Sequence, residues 1–204
     1  IIDTTSDNLK QYIAEVNDKV IEVFKAAGCR DGVAWVETIR DTDGHFYLLE
    51  MGYRFGGEVV NVPYEKVCNF NSIKFMIEIA LGVKHTESDL PHKLDKAETG
   101  VAAAYMLFSK KDNIIKSIKG LDIIEAYPNV RIDMPKRVGG VVRHHATMGV
   151  IHIYGKDIEE LCDTIQKVND NLSITDENGE GMYICFDDYK TLKEEYYKGL
   201  KEFN

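Results

Sequence analysis

The chain has 204 residues, 44% of them hydrophobic and 29% charged, a composition typical of a globular protein with one large domain or two small ones. A formal net charge of −9 argues against broad electrostatic binding to nucleic acid or an anionic membrane. No apolar run approaches the roughly 18 residues that a membrane-spanning helix needs.

The four cysteines are scattered, without a CxxC pair, a pattern typical of reduced thiols in a cytoplasmic protein. The chain opens with the polar stretch IIDTTSDNLK and lacks an initiator methionine. We therefore expect it to be part of a longer protein, with its function divided between this part and the rest.

The first third of the sequence predicts two helices and a hairpin. Apolar residues at helical spacing predict a helix over roughly residues 6–27, which Gly28 ends. GVAWVETI predicts a strand, DTDG a turn, and HFYLLEM a second strand. A loop over residues 53–66 and a helix at about 68–82 follow, and together these elements predict a first domain over residues 1–84.

The polar stretch over residues 85–98 contains a proline and no apolar period, which predicts a linker. Residues 99–204 then predict a smaller, β-rich α+β domain. Its strand-like runs are GVAAAYMLFS, NIIKSIKG, NVRIDM, VVRHHA, GVIHIYG and GMYICF. KDIEELCDTIQKVNDNL predicts a helix with Asp157 as N-cap and Glu160 completing a capping box, and KTLKEEYYKGLKEF predicts a final helix. The element order favours an α+β fold with antiparallel sheets.

The turn of the hairpin bears on how two glutamates pair. Asp43-Gly44 favours a two-residue type I′ turn, and that register places Glu37 directly opposite Glu50, with Cβ atoms roughly 5 Å apart. A four-residue loop keeps both side chains on one face, whereas a three-residue loop separates them. Alternation along the strands places both glutamates among large apolar neighbours.

Two carboxylates this close repel each other unless one takes a proton or a cation lies between them. Mg²⁺ is commonly held by one or two carboxylates together with phosphate oxygens. Arg54 follows Glu50 by four residues and suits phosphate, and Gly56-Gly57 permits close approach of a ligand. The alternative is a pair of glutamates that are solvated or neutralised by lysines.

The run GVAWVETI…HFYLLEMGYRFGGE resembles the metal-binding hairpin of the ATP-grasp ligases, a superfamily that includes biotin carboxylase, carbamoyl-phosphate synthetase and phosphoribosylglycinamide synthetase. Glu37 and Glu50 match its two acidic residues, and Arg54 matches its phosphate-contacting arginine. Gly52 departs from the pattern, because an asparagine that binds metal is usual there. Glu58 stands where some carboxylases carry a further acidic residue.

The resemblance implies a fold class: the C-terminal lobe of an ATP-grasp fold, an antiparallel sheet with flanking helices, followed by the smaller α+β subdomain. It also implies ATP and Mg²⁺ (or Mn²⁺) as cofactors, with Glu37 and Glu50 as metal and nucleotide ligands. Arg54 becomes the catalytic, phosphate-binding residue. Residues 99–173 are similar to the C-terminal subdomain of the L-amino-acid ligase branch.

The family's lysines, glycine-rich loop and adenine contacts lie upstream of such a hairpin. The resemblance therefore implies N-terminal lobes of the same protein as partners, small-molecule carboxylate and amine substrates, and a chain that is inactive alone. The resemblance leaves open whether the protein forms a homodimer. The alternative is a non-catalytic α+β module for regulation or oligomerisation, in which the glutamates are structural.

Three histidines provide one further candidate metal site. His144 and His145 are adjacent, and His152 follows seven residues later. The strand-like spacing and the neighbouring Arg143 favour surface or half-buried histidines over a metal centre.

Overall fold

The structure is a computed structural model that describes residues 7–55, 62, 65–66, 69–90 and 100–203. We call residues 7–90 the N-terminal region and residues 100–203 the C-terminal region. The predicted boundary over residues 85–98 lies partly outside the described residues and stays a prediction. Among the described residues, no helix is long and apolar enough to cross a membrane.

The N-terminal region contains the predicted helices and hairpin. Its elements are α1 (Asp7–Tyr12), a π-helical segment (Ile13–Asn17), α2 (Asp18–Ala26), β1 (Trp35–Arg40), β2 (Phe46–Gly52) and α3 (Ser72–Ala80). The first three form one continuous helical stretch, which confirms the helix predicted over residues 6–27. Helix α3 begins after Asn71, whose side chain accepts a hydrogen bond from the Lys74 backbone N–H at 2.8 Å.

The C-terminal region contains seven strands and three helices among its described residues. They are β3 (Val101–Phe108), β4 (Asn113–Ile114), β5 (Ser117–Lys119), α4 (Leu121–Glu125), β6 (Val130–Asp133), β7 (Val141–Val142), β8 (Thr147–Gly155), α5 (Ile158–Asn171), β9 (Ser173–Thr175) and α6 (Tyr189–Phe203). The pairings β3–β8, β6–β8, β4–β7 and β5–β9 are all antiparallel. The predicted α+β class with antiparallel sheets is confirmed.

The main core lies between the β3–β8–β6 sheet and α5. Ile151 and Ile153 alternate along β8 and are fully buried, as are Leu107 on β3 and Leu161 on α5. This arrangement follows from the period of two in the strands and the helical period in α5, which direct apolar side chains to a shared interior.

Helix α6 docks on this core through a polar network. The Tyr105 hydroxyl donates to Asn169 Oδ1 at 2.7 Å and accepts from the Phe186 backbone N–H at 3.0 Å. The Asn169 amide in turn donates to the Tyr189 hydroxyl at the start of α6 at 3.0 Å. Burial raises the pKa of Tyr105 to about 12, so its hydroxyl keeps the proton that it donates.

Three local predictions in the C-terminal region need correction. GMYICF forms isolated bridges at Gly181 and Tyr183 instead of a strand, because its bonds go to two different partners, Thr175 and Ser109. Asp157 caps α5 as predicted, but the Glu160 carboxylate accepts from the Lys156 backbone N–H rather than from that of Asp157. The short elements α4 and β9 were not predicted.

Candidate functional site

The tip of the hairpin is a three-residue loop, so the predicted two-residue type I′ turn is wrong. The Gly44 backbone N–H donates to the Asp41 carbonyl at 3.0 Å, and the Asp41 N–H donates to the His45 carbonyl at 2.9 Å. Gly44 has a left-handed φ of +88°, which suits the residue that follows a type I turn in such a loop. Asp43 contributes an oxygen that accepts from the His45 N–H at 3.0 Å.

A β-bulge in β2 cancels the effect of this loop on the register. Near the tip Thr38 pairs with Leu48, and the next pair along the ladder is Glu37 with Glu50, so Leu49 has no partner in β1. The three-residue loop shifts the pairing by one residue relative to a two-residue loop, and the extra residue at the bulge shifts it back. The predicted juxtaposition of Glu37 and Glu50 is therefore confirmed, although the turn that predicted it is not present.

The surroundings of the two glutamates are apolar, as predicted, but they are open. Glu37 and Glu50 are both exposed, and so are large neighbours on the same strands, with Ile39 at 54% and Leu49 at 55%. Among the described residues, neither carboxylate forms an ion pair or a hydrogen bond with another side chain. The described residues therefore provide no lysine partner for either carboxylate, and the exposed positions fit the other form of the alternative, a pair of solvated glutamates.

The N-terminal helical stretch fixes the hairpin at its tip. Gln11 in α1 donates to the Gly44 carbonyl at 3.1 Å and accepts from Arg40 Nε at 2.9 Å. Tyr12 packs edge-to-face on Phe46, with ring centroids 5.9 Å apart. These contacts hold the strands that carry the acidic pair against a rigid element.

Arg54 lies just beyond β2, against Trp35. Its Cζ atom is 5.3 Å from the centroid of the indole ring, a cation–π distance, and its Nη1 donates to the Phe55 carbonyl at 2.7 Å. Trp35 pairs with Gly52, two positions along the ladder from the pair of Glu37 and Glu50, and by alternation it lies on the same face of β1 as Glu37. Sequence reasoning missed Trp35 as a site residue, and its position two residues before Glu37 was the available signal.

Gly52, where the resembled family usually has asparagine, faces the Trp35 indole. A Cβ atom at Gly52 would lie 2.8 Å from Trp35 Nε1, so a side chain at this position requires the indole to move. Gly56, Gly57 and Glu58 lie outside the described residues.

The described residues contain no group of three or more His, Cys, Asp or Glu side chains that could hold a metal ion. A cation at the hairpin would therefore depend on the two carboxylates and on oxygens from a ligand. That donor set fits Mg²⁺, which one or two carboxylates commonly hold together with phosphate oxygens and water.

The three histidines do not converge on a metal site. His144 and His145 are exposed and stacked, with ring centroids 3.8 Å apart. His152 on β8 is fully buried, contrary to the surface or half-buried position predicted, and neither ring nitrogen has a partner among the described residues. Burial lowers the pKa of His152, Arg131 lowers it further, and the ring is neutral at pH 7.

An ionic cluster around the buried Asp176 in the C-terminal region was also missed. Asp176 is 1% exposed and accepts hydrogen bonds from Lys111 at 2.5 Å and from Asn113 at 2.9 Å, and Lys111 also pairs with Glu180. The Asp176 carboxylate further accepts from the Asn178 and Glu180 backbone N–H groups. These bonds stabilise the turn after β9, so the cluster is structural.

Searches of family models and of curated proteins found no match for this chain. Solved structures match it well. The L-amino acid ligase from Bacillus licheniformis superposes with a TM-score of 0.66 at 21% identity, over 82% of this chain and 42% of that one. The phosphoribosylglycinamide synthetase from Anaerococcus prevotii gives 0.63 at 18% identity, over 87% and 44%.

A third neighbour is the biotin carboxylase domain of the Hydrogenobacter thermophilus 2-oxoglutarate carboxylase, a dimer in complex with MgADP, ADP and bicarbonate. It gives a TM-score of 0.59 at 15% identity, over 87% of this chain and 37% of that one. The chain has the fold of the C-terminal part of an ATP-grasp enzyme. It spans about two fifths of the length of these neighbours, which agrees with the expectation of a longer protein.

Proposed function

We propose that this chain is the C-terminal part of an ATP-dependent carboxylate–amine ligase that works through an acyl-phosphate intermediate. The observation that carries the proposal is the register pair of Glu37 and Glu50, followed four residues later by Arg54, on a chain with this fold. Two adjacent carboxylates without a counter-ion among the described residues are available to a cation, and a nucleotide-bound one fits.

In this proposal Glu37 and Glu50 bind Mg²⁺ (or Mn²⁺) together with ATP. The bound cation would neutralise charge on the phosphate oxygens. The two glutamates contribute two hard oxygen donors from directly opposite positions in the ladder, with Cβ atoms roughly 5 Å apart. Gly52 contributes no ligand, so the remaining ligand positions belong to water and to phosphate.

Arg54 is the proposed catalytic residue. Its guanidinium presents a planar fork of N–H donors that matches the geometry of phosphate oxygens. Charge builds up on the transferring phosphoryl group and its acyl acceptor, and a fixed cation beside them stabilises that charge. The exposed position of Arg54, with its guanidinium on Trp35 of the same hairpin, supports this role.

The proposed partners are N-terminal lobes of the same protein and small-molecule carboxylate and amine substrates. The open apolar surface around the acidic pair supports additional protein in that place, because contiguous exposed apolar patches commonly mark interaction sites. A homodimer is the assembly to test first, because one structural neighbour is a dimer. A cytoplasmic location stays a prediction from the scattered cysteines.

The decisive experiment is Glu50→Gln in the full-length protein, with ADP release measured in the presence of ATP, Mg²⁺ and candidate carboxylates and amines. We expect turnover to fall by roughly 10²-fold or more, as when one group that stabilises developing charge is removed, with an unchanged circular dichroism spectrum. Glu22→Gln on the exposed face of α2 is the matched control and should turn over normally.

Near-normal turnover by the Glu50→Gln protein would overturn the proposal and favour the regulatory or oligomerisation module. The 204-residue chain alone should bind Mg-ATP poorly and show no ligase activity. Calorimetric binding of Mg-ATP to it in the micromolar range would contradict the division of the site between this chain and upstream lobes.

A further inference from the structure

The Trp35 indole occupies the space that a side chain at position 52 would need. Trp35 and Gly52 are register partners, and the pair Val36–Met51 separates them from the pair of Glu37 and Glu50 along the ladder. A Cβ atom at Gly52 would lie 2.8 Å from Nε1 and 3.4 Å from Cε2 of the indole. The φ angle of Gly52 is not in the left-handed region, so the indole in this position, not the backbone, disfavours a side chain here.

The same indole is one of two contacts that locate the Arg54 side chain. The guanidinium lies over the ring, with Cζ 5.3 Å from its centroid, and Nη1 donates to the Phe55 carbonyl. An exposed arginine samples many rotamers, and a stack on an aromatic face together with one hydrogen bond restricts them. Arg54 is thereby kept on the face of the hairpin where Trp35 lies, and alternation along β1 places Glu37 on that face too.

The indole is not held in place by its own polar atom. Trp35 Nε1 is buried and has no hydrogen-bond partner among the described residues. Leaving a buried N–H without an acceptor costs free energy, so packing over Gly52 and stacking against Arg54 must outweigh that cost. The position of the ring therefore depends on packing and stacking contacts such as these, not on a hydrogen bond to a described residue.

We propose that Trp35 is a positioning residue of the site: it fixes the Arg54 guanidinium beside the Glu37–Glu50 pair, and Gly52 is glycine so that the indole can lie there. This inference rests on the proposed function in one respect, the identity of the ligand that Arg54 binds. The placement of Arg54 is a property of the free chain, and it can be measured without ATP, metal or substrate.

The first test is the Nε–Hε signal of Arg54 in the NMR spectrum of the 204-residue chain. In the wild-type chain the ring current of Trp35 should move this signal upfield from those of other exposed arginines. Trp35→Leu should abolish that shift, and Trp35→Phe, which keeps an aromatic face, should retain part of it. A signal at the same position in all three proteins would overturn the proposal.

The second test uses the fluorescence of Trp35, the single tryptophan of the chain. Gly52→Ala should displace the indole, raise the acrylamide quenching constant and remove the upfield shift of Arg54. Gly181→Ala is the matched control, because a Cβ atom there meets nothing within 4 Å and its φ is not left-handed. Equal quenching in the two alanine variants would overturn the proposal, even if Trp35→Leu failed to fold.

The two proposals fail separately. The ring-current shift tests the positioning role of Trp35 and does not depend on the activity measured for Glu50→Gln. Full ligase activity in Glu50→Gln would overturn the proposed function and leave the position of Arg54 as measured.

Discussion

The C-terminal region buries its apolar side chains, whereas the N-terminal region leaves most of its described ones open. Leu107, Ile151 and Ile153 are fully buried in the C-terminal region. Among the described residues, Val20 is the one buried apolar side chain of the N-terminal region, and Ile39 and Ile77 are about half exposed there. The C-terminal region therefore contributes most of the buried apolar core, whereas the N-terminal region carries the candidate site residues.

This difference explains why the carboxylate pair can be present without being enclosed. Low-dielectric surroundings strengthen the interactions of charged groups, and an open hairpin does not supply them. Additional protein packed on the hairpin would remove water from the acidic pair and from Arg54 at once. We therefore expect the C-terminal region to set the stability of the isolated chain, and the hairpin to gain its function by being covered.

The largest expected effect is on the free energy of unfolding, and it differs between two isoleucines that both lie on strands. Ile153→Ala in the fully buried centre of β8 should lower the free energy of unfolding by about 2–5 kcal/mol, through lost burial and the cavity left behind. Ile39→Ala in the exposed hairpin should lower it by about 1 kcal/mol or less. Urea unfolding followed by circular dichroism measures both, and equal losses would break the comparison.

An intermediate effect is expected from Asp176→Asn. Hydrogen bonding to Lys111 is the main cause that lowers the pKa of Asp176 below its ordinary value of 3.8, and burial opposes it. Because the pKa is lower in the folded state, the stabilisation is present above pH 3.8 and is lost as the pH falls through the folded-state pKa. Asparagine keeps the acceptor oxygen, so the loss should be smaller than for Ile153→Ala.

The stability difference between the wild type and Asp176→Asn should therefore be largest near neutral pH and shrink in acid. Thermal unfolding across pH 2–7 tests this. Asp187→Asn at an exposed position is the control and should show little change at any pH. A stability difference that grew as the pH fell would contradict the predicted direction of the pH dependence.

The smallest expected effect compares two helix caps. Asp157 caps α5 through the Glu160 N–H, and Asn71 caps α3 through the Lys74 N–H, both at 2.8 Å. Replacing either by alanine removes one capping bond, worth typically about 1 kcal/mol. We expect Asp157→Ala to lower global stability by that amount, because α5 covers the core. Asn71→Ala should instead speed amide exchange within α3 alone.

Local sequence patterns predicted the helices and strands better than they predicted which residues contact each other. The helical period fixed the first helical stretch and α5, and alternation identified β1, β2 and β8. The juxtaposition of Glu37 and Glu50 was predicted from a turn that does not form. The type I turn begins at Asp41, two residues before the Asp43-Gly44 signal, and the bulge at Leu49 compensates for the resulting loop length. Turn preferences alone do not contain this combination.

Other features depend on tertiary placement and leave no local trace. The indole of Trp35 lies over Gly52 because of its side-chain orientation across the ladder, which sequence spacing does not specify. Lys111 and Asp176 are far apart in sequence, and the pairing of β5 with β9 brings their segments together. GMYICF has a strand-like composition, yet its hydrogen bonds are divided between two partners.

The bulge at Leu49 makes the acidic pair insensitive to one kind of change in chain length. Deleting Leu49 would leave Thr38 with Leu48 and Glu37 with Glu50 as consecutive pairs of a regular ladder. A relative of this protein could therefore lose that residue and keep both carboxylates together. A deletion of Met51 has no such compensation, because it would pair Val36 with Gly52 and leave Trp35 opposite a residue with a side chain.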